Sequence, residues 1–354
     1  MKMQFVLLAV LICLCRSTSA QAGLLPETIK KAAREGIAAD RYQTLVFAVV
    51  DGEKSEIVSF GWLPDHQKPD GDTVYEIGSV TKTFTATLLA ETVISGRVQL
   101  DTPIQLLLPD FKIPTRGGRQ ITLVDIATQR SGLPRMPTDF HDENTPYPPY
   151  DLGRLKSFLA TYKMSRDPGS EYEYSNLGFG LLGIALADST HWPYGILIEQ
   201  KILRPLGMKM TGTTLNEAMR AHLAPGFDER GNPAGSWNFG RFDVFEGAGA
   251  IRSTAADMLR YLKANMGEGT DTLTGAMKLA QTPRCHTGTG NLIGLAWERQ
   301  SSRRGDVVWH NGGTAGYAAY VGFIADGHRG VVILSNTASS VTELGFQYLA
   351  SDAP

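Results

Sequence analysis

The chain is expected to be an α+β protein. Its antiparallel sheet should be built from both chain ends and flanked by helices, with a mainly helical inserted domain between them. Three observations predict this. Leu45 to Asp51 and Glu56 to Trp62 are strand-like runs near the start. Asp306 to Trp309, Ala318 to Ile324 and Gly330 to Leu334 return to the same pattern near the end. Between about residue 80 and about residue 290 the apolar spacing is mostly helical, broken by Gly and Pro. Distant strands can share one sheet only if the middle is an excursion, and the seam between the two parts is where a cleft forms.

Taken in order, the first ~22 residues read as a targeting element. Lys2 supplies a positive end, Phe5 to Cys15 is apolar, and the small residues around Ala20 and Ala22 offer cleavage positions. That run is too short to span a bilayer stably, so no membrane insertion is expected after cleavage, and the product should be secreted or periplasmic. Cleavage would remove Cys13 and Cys15 and leave Cys285 alone, which excludes an intramolecular disulfide. Pro26 to Ile37 then reads as an amphipathic helix, and Asp51-Gly52-Glu53-Lys54 as the turn of a hairpin. Thr83 to Ser95 repeats apolar residues at helical spacing and stops at Gly96. Leu133 to Tyr150, rich in Pro and acids, should be an irregular surface loop. Ser236 to Phe245 concentrates aromatics and is expected to pack. A strand is expected around Leu295 to Glu298 and a final helix near Val341 to Leu349. This divides the chain into residues 23–80 plus 290–354 as a sheet domain and 81–289 as a helical region, together one catalytic unit of 23–354.

The 354 residues are 42% hydrophobic and 20% charged with a net charge of −2, enough for a large core and no electrostatic footprint for nucleic acid. There are no repeats, and a monomer acting on a small molecule or a cell-wall peptide is expected.

Ser79-Val80-Thr81-Lys82 is the one place where a serine precedes a lysine by three residues. It lies at a predicted helix N-terminus, where unpaired N–H groups favour developing negative charge. Lys82, one turn on, can take or relay the serine proton that a free hydroxyl does not give up unaided. Tyr174-Ser175-Asn176 is the only Tyr-x-Asn. Tyr174 can serve as a second base if a nearby ammonium lowers its phenol pKa, and Asn176 can orient the amine and donate to a substrate carbonyl. Of three His-x-Gly matches, at His286, His310 and His328, only His310-Asn311-Gly312-Gly313 ends a β-rich run before a glycine-rich stretch. Gly312 permits close backbone approach, and Gly313 N–H could join Ser79 N–H as an oxyanion hole.

In this order, Ser-x-x-Lys, Tyr-x-Asn and His-x-Gly resemble the serine penicillin-recognising enzymes, in the branch of class C β-lactamases, secreted D-alanyl-D-alanine carboxypeptidases and related esterases. The supporting stretches are YEIGSVTKTFTATLL, ITLVDIATQRSGLP, PGSEYEYSNLGFGLLG, ILRPLGM and GAGAIRSTAADMLRYL, and the likeness runs from about Leu45 to Asn336. The resemblance implies a β-lactamase/transpeptidase-like fold and two-step acyl transfer through an acyl-enzyme on Ser79. The bond cleaved would be in a β-lactam or a D-alanyl peptide. Catalysis falls to Ser79, Lys82 and Tyr174, with either Lys82 or Tyr174 as primary base, and substrate binding to Asn176, His310, Gly312 and Gly313. The alternatives are a carboxylesterase on the same fold and a non-catalytic penicillin-binding sensor. No cofactor or metal is expected: His141, His191 and His222 are scattered, and no G-x-S-x-G elbow suggests an α/β-hydrolase.

The strongest class C β-lactamases of that branch carry Lys-Thr-Gly where this chain has His310-Asn311-Gly312. Histidine is mostly neutral at pH 7, so affinity for anionic substrates should rise as pH falls through about 6.5 if His310 meets the substrate carboxylate. Arg299, on the neighbouring predicted strand, is a candidate replacement cation, though an exposed strand-edge charge is the simpler expectation.

Overall fold

The computed structural model describes residues 23–140, 150–235, 244–268 and 271–351. The targeting element at 1–22 and most of the loop between 133 and 150 lie outside the described residues. So does most of the aromatic stretch at 236–245.

One eight-stranded antiparallel sheet organises the molecule. Its strands are β1 (Thr44–Asp51) and β2 (Lys54–Gly61) from the start of the chain, with β5 (Cys285–His286), β6 (Leu292–Ile293), β7 (Glu298–Ser302), β8 (Gly305–Gly313), β9 (Ala318–Ile324) and β10 (Arg329–Ser335) from the end. Their order is β2-β1-β10-β9-β8-β7-β6-β5, so β1 and β10 join the two chain ends, with Leu45 opposite Ser335 and Asp51 opposite Arg329. A separate ribbon pairs β3 (Val74–Glu76) with β4 (Arg252–Thr254).

β1 reads as an unbroken apolar run because both of its faces are covered. Leu45, Phe47 and Val49 pack with the terminal helices Glu27–Ala38 and Thr342–Ala350, whereas Val46, Ala48 and Val50 belong to the larger core shared with the helical part. Each such side chain removed from water contributes about 1.5–3 kcal/mol. Helix Thr81–Ile94 lies at the centre of that larger core, buried on nearly every side. A helix so enclosed must satisfy its polar side chains internally, and several of its threonines bond their hydroxyls to its own carbonyls, as Thr87 does to Thr83 O at 2.9 Å and Thr92 to Leu88 O at 2.8 Å.

Two expectations need correction. The sheet takes in Cys285 and His286, ahead of the boundary expected at 290. The strand expected at Leu295–Glu298 starts instead at Glu298. Leu295, Ala296 and Trp297 are buried in a turn, with Ala296 at φ 64°, so their apolar character reflects burial and not strand pairing. Among the described residues no helix is long and apolar enough to cross a membrane.

Candidate active site

Ser79 sits in a single 3-10 turn, Gly78–Val80, that runs directly into helix Thr81–Ile94. It is partly exposed while its neighbours Gly78 and Val80 are buried. The turn lies against the end of β8 so closely that side chains are excluded. A Cβ on Gly312 would stand 2.0 Å from Ile77 O, and one on Gly78, which has φ +49°, would stand 2.7 Å from Gly313 O. A Cβ on Gly313 would meet Tyr317 O at 3.9 Å, an ordinary contact. The main chain at Ser79 and at Gly313 therefore borders one small volume.

Lys82 is fully buried, one turn beyond Ser79. Its Nζ lies 3.0 Å from Ser79 Oγ, 2.8 Å from Asn176 Oδ1 and 2.8 Å from the carbonyl oxygen of Ala248. Burial, and secondarily the charge of Arg135, push its pKa well below the usual lysine value. The Ala248 carbonyl is held in place by helix Thr81–Ile94 itself: Thr85 Oγ1 donates to Gly247 O at 2.6 Å, and Ile251 N donates to Thr81 Oγ1 at 3.1 Å. Small residues make this approach possible, since a Cβ on Gly247 would stand 2.7 Å from Phe179 O.

Tyr174 and Asn176 flank Ser175, which caps helix Asn176–Thr190. Ser175 Oγ accepts from Gly178 N at 2.9 Å and donates to Pro134 O at 2.7 Å. Ser175 N donates to Gln129 Oε1 at 2.7 Å, and Asn176 N to Arg135 O at 3.0 Å. The loop at 129–136 thus clamps the second motif from behind. The Asn176 amide nitrogen points at Met136 Sδ, 3.5 Å away. The centre of the Tyr174 ring lies 4.8 Å from Lys82 Nζ and 5.0 Å from the guanidinium carbon of Arg135.

The expected lowering of the Tyr174 pKa is not what this setting produces. Burial dominates and pushes the phenol up to about 12, against opposing contributions from Ser79 and Arg135. The same burial disfavours the charge on Lys82, which weakens the pull of an ammonium on the phenol proton.

His310 lies on β8, buried, with Nδ1–H donating to its neighbour's carbonyl, Asn311 O, at 2.5 Å. Burial first, and then Lys82, push its pKa down to about 3. The sequence-based expectation of a charge change near 6.5 is therefore corrected: His310 is neutral throughout the ordinary range. Arg299, the candidate replacement cation, is paired: its Nε is engaged by Asp306 Oδ2 at 2.8 Å. Asn311 is exposed and turns its amide to Thr342 Oγ1 at 2.9 Å. The other two His-x-Gly matches are remote in character. His286 is exposed on the short edge strand β5, and His328 is exposed in the turn between β9 and β10. No cluster of metal-ligating side chains occurs among the described residues.

Residue patterns missed three contributors: the Ala248 carbonyl, Gln129 and Arg135. A backbone carbonyl has no sequence signature. Gln129 shows one feature only in the fold, a φ of 59° at a buried position.

A partly exposed serine touching a buried lysine of lowered pKa, beside an antiparallel sheet, an asparagine and a tyrosine, is an arrangement that suits serine-hydrolase chemistry. The family model described as Beta-lactamase matches residues 29–350. The D-alanyl-D-alanine-carboxypeptidase/endopeptidase AmpH of Escherichia coli (strain K12) is 31% identical over 310 residues, covering 82% of this chain and 78% of AmpH. A Beta-lactamase of Pseudomonas fluorescens is 28% identical over 331 residues, covering 82% of this chain and 88% of its own. A solved class C beta-lactamase superposes with a TM-score of 0.81 at 23% identity, covering 93% of this chain and 96% of that one, which establishes the fold. The chain belongs to the beta-lactamase family. It is an enzyme, a serine hydrolase of the β-lactamase and D-Ala-D-Ala carboxypeptidase type.

Proposed function

We propose that the protein is an exported, monomeric hydrolase that forms an acyl-enzyme on Ser79 and cleaves β-lactam or D-alanyl peptide amide bonds. The observation that carries this reading is the coordination of Lys82. A neutral amine has two N–H donors and one lone pair. Asn176 Oδ1 and Ala248 O, each at 2.8 Å, take the two donors, which leaves the lone pair for the Ser79 hydroxyl at 3.0 Å. The suppressed pKa supplies the neutral form that this role needs.

Ser79 Oγ attacks the carbonyl carbon as its proton moves to Lys82 Nζ, and the oxyanion is held between the Ser79 and Gly313 N–H groups. Tyr174, a phenol pushed up to about 12, gives its proton to the departing nitrogen. The proton on Lys82 restores the phenol, and water attacks the ester by the reverse of the same transfers. Asn176 holds the amine and offers its amide N–H to the substrate carbonyl, while Gly312 lets the substrate strand approach β8.

Carboxylesterase activity on the same machinery is the second reading. It is favoured by one observation: β8 presents a neutral histidine and an asparagine turned away, not a fixed cation. Exposure of the purified protein to a β-lactam, followed by intact-mass spectrometry, tests the primary reading. A covalent adduct on Ser79 that decays with turnover is expected. A protein that hydrolyses nitrophenyl esters yet never carries a β-lactam or D-alanyl-peptide acyl group would leave only the esterase.

A further inference from the structure

β-Lactams and D-alanyl peptides present a carboxylate next to the departing nitrogen, so a site for them needs a cation on the side where that nitrogen leaves. The residues expected to supply one do not. His310 is buried and neutral, Arg299 is paired with Asp306, and Lys82 is enclosed with its donors already used. Around the cleft most arginines are engaged. Arg130 donates to Gly169 O at 3.0 Å and Ser170 O at 2.7 Å. Arg116 meets Asp167 at 3.2 Å and Met164 O, and Arg166 is paired with Glu173.

Arg135 differs from all of these. It is exposed, and its hydrogen bonds among the described residues are through its main-chain oxygen, which accepts from Asn176 N at 3.0 Å and Leu177 N at 3.3 Å. Its Cα is thereby fixed to the Tyr-x-Asn motif, while no described carboxylate takes its guanidinium. That guanidinium stands 5.0 Å from the centre of the Tyr174 ring. A carboxylate two bonds from a nitrogen that receives the Tyr174 proton falls within reach of it. An arginine fork suits a carboxylate, and an aromatic ring beneath it preorganises the fork by stacking.

We propose that Arg135 is the specificity-determining residue of this site, and that its guanidinium takes a carboxylate carried by the departing part of the substrate. This rests on the acyl-transfer reading above. Arg135 also lowers the pKa of both Lys82 and Tyr174, so its removal has a second effect, independent of substrate charge, that a test must separate.

The test uses a depsipeptide ester whose leaving 2-hydroxy acid carries a free carboxylate, beside the same compound with that carboxylate converted to a carboxamide. Arg135→Ala should lower kcat/KM for the carboxylate by about tenfold, mostly through KM, as fits one charged contact at a partly solvated site. The carboxamide should fall by less, and Arg135→Lys should recover most of the preference for the anion. Equal losses for both esters, with the acid limb of both pH profiles moved to higher pH, would overturn the proposal. Arg135 would then act only through its field on Lys82 and Tyr174. Calorimetric titration of the two compounds into Ser79→Ala, with and without Arg135→Ala, reads the contact without chemistry. The carboxylate should bind about tenfold more weakly once Arg135 is gone, and an unchanged affinity overturns the assignment. If the anion preference persists in binding but no acyl group appears on Ser79, the acyl-transfer reading fails and the role of Arg135 stands.

Discussion

The two walls of the cleft contribute different things. The helical wall carries Lys82, Tyr174 and Asn176, and its contribution is side-chain chemistry: burial disfavours the charge on an amine and holds a phenol protonated. The β8 wall carries His310, Gly312 and Gly313, and its contribution is backbone geometry, with main chain packed on main chain at distances that exclude a Cβ. Even its one titratable side chain is silent, because burial keeps His310 neutral. Damage to the helical wall should therefore appear in rates and pH profiles. Damage to the sheet wall should appear in stability and activity together.

The largest expected effects contrast one substitution on each wall. Ser79→Ala should abolish adduct formation on β-lactam exposure with little change in melting temperature, since only a small, partly exposed hydroxyl is lost. Gly312→Ala should lose activity and also melt earlier, because the new methyl group meets Ile77 O at 2.0 Å unless the strand shifts. Overpacking of this kind typically costs about 1–3 kcal/mol. A Gly312→Ala protein with unaltered melting and full turnover would remove the division between the walls.

Lys82→Ala should slow acylation by about 10²–10⁴-fold, the usual weight of a positioned base. Stopped-flow acylation indistinguishable from the parent protein would exclude Lys82 from the proton path.

The pH dependence sharpens the contrast further. In the proposed mechanism neutral Lys82 is the working form and burial depresses its pKa, so kcat/KM should fall on the acid side as the amine takes up a proton. With the phenol pushed up to about 12, no alkaline limb from Tyr174 should appear below that value. A marked decline near pH 9 or 10, the ordinary tyrosine range, that vanishes in Tyr174→Phe would contradict this assignment.

The smallest effect concerns the sheet wall. With His310 pushed down to about 3, affinity for an anionic substrate should stay flat from about pH 5 to about pH 8. Binding that tightens near 6.5 in the parent and not in His310→Ala would show that imidazole charge reads the substrate after all. His286→Ala serves as the control, because its ring is exposed on an edge strand and bonds to Gly290 O in its own turn.

Local pattern was enough for much of the fold. Ala318–Ile324 and the helices at the two ends follow from composition and spacing, because continuous apolar runs and amphipathic periods are set by which faces are covered. The same method failed at Leu295–Trp297, where a buried turn and a buried strand have the same residue types.

The sequence by itself determined the order of the three motifs, the one-turn spacing that brings Ser79 and Lys82 together, and a sheet closed by both chain ends. These rest on short-range spacing and on hydrophobic pattern, which one chain carries openly. Only the tertiary structure supplies the surroundings that shift the pKa values of the site and brings Arg135 beside Tyr174. The pKa values of Lys82, Tyr174 and His310 depend on how much protein surrounds them, and the place of Arg135 over the Tyr174 ring on how its loop docks to the second motif. The Ala248 oxygen that completes the lysine's coordination lies 166 positions further along the chain. Desolvation and long-range pairing are properties of packed volume, so no local pattern of residues could have foretold them.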